Sequence, residues 1–184
     1  MIEVSTDGGD GNDFLEARPV ELNVTFNGGV GNDTFLGGSG NDVADGGLGN
    51  DSLSGGTGDD SLLGDEGRHT INGDSGNDVI DGGEDNDLLF GSKGNDSLRG
   101  GNGNDTIYGG AGDDLLIGSA GKDFLFGESG TDTLLGDSGN DLIYGGIGND
   151  VINPGSGRKT ILDMIRVIDT SFTFDFDSLL AGIL

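Results

Sequence analysis

A nine-residue period constrains this chain more than any other feature. Counted from Gly28, the frame repeats fourteen times without a gap and ends at Asn153. Position one is Gly in all fourteen repeats. Position four is Gly except at Asp85, position six is Asp except at His69, and position eight is a large apolar residue except at Ala44. Position two is looser, with Gly in eight repeats. A period this short and regular is the mark of a solenoid, in which each coil buries its apolar side only against its neighbours.

The nonamer divides in two. Positions one to six hold glycines where a tight turn needs positive φ or close backbone approach. Positions seven to nine read x-apolar-x, a minimal strand with one side chain pointing inward. Two nonamers then make one coil of strand, turn, strand, turn, and repeats 18 residues apart stack in register. The expected fold is all-β: a right-handed solenoid of two short-stranded parallel sheets, with a thin core where they meet.

Stacking brings equivalent turns to about 4.8 Å, one strand spacing. Position-six carboxylates 18 residues apart then face one another. One edge carries Asp33, Asp51, His69, Asp87, Asp105, Asp123 and Asp141; the other carries Asp42, Asp60, Asp78, Asp96, Asp114, Asp132 and Asp150. Ionised ladders of this kind repel unless a cation lies between the rungs. Calcium suits them, because it accepts about six to eight oxygen ligands in a flexible shell, whereas magnesium wants strict octahedral geometry. Zinc prefers nitrogen and sulfur, and the chain has one His and no Cys. Adjacent Asp pairs give four sites on the first edge and six on the second. About ten Ca2+ ions would bring the formal charge from -26 to about -6.

The motif GGxGxDxUx, with U a large apolar residue, resembles the RTX, or hemolysin-type, calcium-binding nonapeptide. The resemblance covers residues 28 to 153 and an isolated copy, GGDGNDFLE, at 8 to 16. It implies a parallel β-roll with Ca2+ in its turns. It also implies a secreted, extracellular bacterial protein exported by type I secretion machinery. Such modules occur in toxins, proteases, lipases, polysaccharide epimerases and adhesins.

The expected organisation follows from the frame. Residues 1–27 form an N-terminal partial coil or cap, residues 28–153 the fourteen-repeat roll, and residues 154–184 a C-terminal cap and candidate secretion-signal tail. The segment ARPVELNVTFN at 17 to 27 is nine residues plus two. It is either a half-coil with a bulge or a linker. In the half-coil reading Asp13 stacks on Asp33 and adds an eleventh site, and Ile2 and Val4 start or cap the first coil. After Asn153 the motif decays, with Lys159 where Asp would stand, so calcium binding should stop at Asp141 on one edge and Asp150 on the other. The segment Asp163 to Leu184 is either an uncleaved export signal, as the resemblance implies, or a capping strand.

Two departures have competing readings. His69 is either a pH- or metal-sensitive position or a degenerate repeat, and the two sites flanking it should be weak or empty. Arg68 beside it would partly replace the missing cation. Outward positions of one sheet carry an apolar stripe of Phe90, Tyr108, Phe126 and Tyr144, with Leu88, Phe124 and Leu142 on the same face. Exposed patches of this kind bind something: the chain's own tail, a second copy, another domain or a carbohydrate.

Other functions are disfavoured. The acidity argues against nucleic acid or an anionic membrane as partner. No apolar run reaches membrane-spanning length. MIEVSTDGGD has neither the basic nor the apolar region of a secretory signal. GSAGKD at 118 to 123 lacks the spacing of a phosphate loop, and nearly every Asp has a structural role, so the chain is not expected to be an enzyme. The leading function is a calcium-binding module that folds on Ca2+ binding after export and supports the secretion and folding of an exoprotein. The alternative is a polysaccharide-binding accessory module of an extracellular epimerase or adhesin, and a fused domain is a further partner.

Overall fold

The computed structural model describes residues 3–17, 22–158 and 160–161. It is a parallel β-solenoid of two facing sheets. The first sheet begins with Glu3–Asp10, Asn23–Val30, Val43–Leu48 and Ser61–Glu66 and ends at Val151–Asn153. The second runs from Phe14–Glu16 through Thr34–Leu36, Ser52–Thr57 and Thr70–Ser75 to Thr160–Ile161. The chain alternates between sheets, and every strand pairing is parallel. Within the array, partners lie 18 residues apart, as in Leu89↔Ile107 and Leu98↔Leu116.

The strands are longer than the x-apolar-x segment of the motif. Most have six residues and run from position seven into position three of the next nonamer, as in Ser52–Thr57. Their burial alternates, so the apolar residue at position eight and the glycine two places on both face inward. The inner face of each coil therefore has a filled half and a bare half. The filled half is the core. Phe35, Leu53, Ile71, Leu89, Ile107, Leu125 and Ile143 from one sheet meet Leu62, Ile80, Leu98, Leu116 and Leu134 from the other, all fully buried. Ala44 at position eight stacks in register on Phe26, whose ring lies 5.4 Å from Phe35. The two rings supply volume where alanine does not. Leu116→Ala should cost about 2–5 kcal/mol, because a one-side-chain-thick core has little material with which to collapse into the hole. Denaturant unfolding in saturating calcium measures it.

At the N-terminal end the register changes. Glu3–Asp10 pairs with Asn23–Val30 at an offset of 20, as in Val4↔Val24, while Thr25↔Val43 has the usual 18. Phe14↔Thr34 also has 20. The two extra residues thus fall between Glu16 and Asn23, and the strands on either side remain in their sheets.

The aromatic stripe packs against itself. Phe90 and Tyr108 stack at 5.2 Å, and Tyr108 and Phe126 at 4.9 Å, with rings nearly parallel. Tyr144 lies in register with Phe126. These side chains are half-buried rather than exposed, because each ring covers its neighbour. Ile2, Lys159 and the segment 163–184 lie outside the described residues. No helix among the described residues is long and apolar enough to cross a membrane.

Candidate metal centre

Both position-six ladders are continuous and almost wholly buried. Asp33, Asp42, Asp51, Asp60, Asp78, Asp87, Asp96, Asp105, Asp114, Asp123, Asp132 and Asp141 are each less than 5 % exposed. Asp13 and Asp150, at opposite ends, are half-buried. The two oxygens of each carboxylate face different surroundings. Oδ1 accepts the main-chain N–H of the preceding rung: Asp33 N–H donates to Asp51 at 2.7 Å, Asp87 to Asp105 at 2.9 Å, and Asp78 to Asp96 at 2.8 Å. Asp13 N–H donates to Asp33 at 2.7 Å, so the isolated first copy joins the same ladder.

Oδ2 points the other way, into the bare half of the coil. At Gly8 a Cβ would sit 2.6 Å from Asp13 Oδ2 and 2.7 Å from the carbonyl oxygen of Gly28. At Gly109 it would sit 2.5 Å from Asp114 Oδ2 and 2.9 Å from the Gly127 carbonyl. Position one is invariably Gly because a carboxylate oxygen and the carbonyl of the next coil converge on its Cα. Asp33, Asp60, Asp78, Asp87, Asp96, Asp105, Asp114, Asp132 and others hold Oδ2 buried with no hydrogen-bond donor. Asp42 differs, since its Oδ2 accepts the Gly38 N–H at 3.1 Å.

A buried carboxylate oxygen without a donor disfavours the charged form. Burial accordingly pushes the Asp60 and Asp87 carboxyls up to about 7, helped by charged neighbours such as Asp78 and Asp105 and opposed by the main-chain hydrogen bond. Asp78, Asp105, Asp114 and Asp132 rise to about 6, again chiefly through burial. Asp51 and Asp96 also rise. The cleft is lined by oxygen only and carries excess negative charge. No three acidic or histidine side chains converge among the described residues. A cation between rungs would therefore take two carboxylates and complete its shell with glycine carbonyls. This donor set is hard, flexible and anionic, and it fits calcium.

A second ladder escaped the sequence reading. At position five the Oδ1 of Asn32 accepts the Asn50 N–H at 2.8 Å, Asn50 accepts from Arg68 at 3.0 Å, and Asn104 accepts from Lys122 at 2.9 Å. On the opposite edge Asp59 accepts from Asn77 and Asp113 from Thr131, both at 2.8 Å. Position five thus binds the coil that follows, and position six the coil before. The recurrence of Asn or Asp at position five was visible in the sequence, but the metal argument had drawn attention to position six alone. Arg68 and Lys122 carry no acceptor, so the ladder is interrupted after each. Arg68 is exposed and belongs to neither ion pair of the described residues, His69–Asp51 and Arg99–Asp81. The idea that it fills a cation position has no geometric support.

His69 keeps the place of an Asp. Its Nδ1 accepts the Asp51 N–H at 3.2 Å, and its own N–H donates to Asp87 Oδ1 at 2.8 Å. Burial lowers its pKa, against the pull of Asp51. The ring therefore continues the stack without the charge.

The parallel solenoid with buried carboxylate ladders defines a structural calcium-binding repeat rather than a catalytic scaffold. The chain belongs to the RTX calcium-binding nonapeptide repeat family, which matches residues 7–18 and, through overlapping segments, 23–158. A search of curated proteins returns no match.

Proposed function

We propose that this chain is a calcium-gated folding module, unfolded where calcium is scarce and ordered after export to a calcium-rich extracellular space. The supporting observation is the row of buried Oδ2 atoms without donors, set over bare glycine Cα atoms. The ligands would be the rungs 13/33, 33/51, 87/105, 105/123 and 123/141 on one edge, and 42/60, 60/78, 78/96, 96/114, 114/132 and 132/150 on the other. Bound calcium supplies the positive charge that lets neighbouring rungs remain ionised. The chain's own groups do the rest. Asp Oδ1 and position-five Asn lock each coil to the next, so ordering one turn pre-forms half of the adjacent site and makes folding cooperative. Extracellular sites of this kind bind at about 10⁻⁴–10⁻³ M, and tenfold excess adds about 1.4 kcal/mol per site. In calcium-poor cytosol this contribution nearly vanishes, leaving a chain extended enough for type I export.

Calcium titration of chelator-treated protein, followed by far-ultraviolet circular dichroism, tests the proposal. A cooperative gain of strand signal between about 0.1 and 1 mM, which magnesium does not reproduce, is expected. Full strand signal in chelator at neutral pH would refute gating.

A further inference from the structure

We infer that the coil pair at His69 forms a site for a borderline divalent transition ion, with zinc as the simplest probe, set within an otherwise oxygen-only ladder. This rests on reading the ladders as metal sites. His69 is 2 % exposed and its side chain is fully enclosed. Its Nδ1 is committed to the Asp51 N–H. That leaves Nε2, which is buried and has no hydrogen-bond partner. The ring occupies the notch that a carboxylate fills elsewhere. At Gly64 a Cβ would meet the Gly82 carbonyl oxygen and His69 Cδ2, the ring atom bonded to Nε2. One coil further on, Asp87 presents a buried Oδ2 without a donor over Gly82.

One nitrogen, one carboxylate oxygen and one carbonyl oxygen therefore belong to the same gap between the 64–72 and 82–90 turns. The acidic side chains of Asp65 and Asp85 belong to these two turns and act electrostatically on the ring. Asp85 is the one non-glycine at position four of the array, and it falls in the turn stacked on His69. Imidazole for carboxylate exchanges a hard anionic donor for a neutral nitrogen. That exchange weakens calcium and favours zinc, nickel or copper, for which imidazole is a preferred ligand. It also uses the one buried nitrogen that the hydrogen-bond network leaves unmatched.

The test uses the full chain in excess calcium, with zinc chloride titrated by equilibrium dialysis and both metals counted. The wild type should retain about one zinc ion per chain at micromolar free zinc. His69→Asp restores the repeat, so it should fold; it should lose this zinc and take up additional calcium. His69→Gln should lose zinc without gaining calcium. Zinc affinity should fall by more than about tenfold in both variants, since even outer-shell changes cost about 10–100-fold. Equal zinc retention by wild type and His69→Asp, or no retention by wild type, overturns the assignment. The calcium count is read separately: a wild-type chain that binds no calcium would sink the ladder reading, whatever the zinc result.

Discussion

Gly103→Ala should disrupt the roll, whereas Glu128→Gly should leave its stability within about 1 kcal/mol. The two substitutions probe the two glycine positions of the turn, which the motif writes with the same letter. Position-four glycines have φ between 125° and 154° at the sites where the angle is positive, including 154° at Gly103. L-residues avoid that region. A Cβ at Gly103 would also collide with the Asp85 carbonyl of the coil before. Relief requires separating the coils, which breaks the Gly103 N–H to Ala120 bond at 2.9 Å and its neighbours. Backbone strain of about 1–3 kcal/mol adds to the lost contacts, so the variant should cost at least about 3 kcal/mol. Position two differs. Asp65, Asp74, Ser92, Ser119, Glu128 and Asp137 stand there with φ between 55° and 80°, the left-handed basin that polar residues tolerate. This is why eight glycines suffice at position two and thirteen are present at position four. Asp85, the exception at position four, adopts φ 71° rather than the wider angle. Thermal unfolding of both variants in calcium provides the comparison; a Gly103→Ala protein as stable as wild type would contradict this account.

Acid should order the chelated chain and oppose calcium. Asp60 and Asp87 have folded pKa values of about 7, and Asp78, Asp105, Asp114 and Asp132 about 6, against 3.8 as the ordinary value. Between pH about 4 and 7 the folded state therefore holds protons that the unfolded chain has released. The unfolded state binds fewer protons there, so stability falls as pH rises through this window. Metal-free protein should show more strand signal and a higher melting temperature at about pH 5 than at about pH 8. Protons and calcium compete for the same oxygens, so the midpoint of the calcium titration should move upward by at least about tenfold over that interval. A metal-free melting temperature that is flat or rising with pH would contradict the burial of Oδ2.

The sequence alone determined the repeat, the coil length and the chemical type of each position. The apolar residue at position eight is the core because no other position offers enough carbon. Position six is the carboxylate ladder because an 18-residue coil must bring those residues together. A period reports which positions are equivalent, and so the solenoid, both Asp ladders and the calcium chemistry were legible. It does not report which atom meets which, or which φ a glycine needs. The tertiary structure decided that Oδ1 is spent on the neighbouring coil and Oδ2 faces the bare glycine, and that position-five Asn binds in the opposite direction. It also decided that Phe26 offsets Ala44, and that the rings of Phe90, Tyr108 and Phe126 cover one another. Each depends on contacts between residues 18 or 20 apart, created by stacking coils in register, and no local property of the nonamer encodes their geometry.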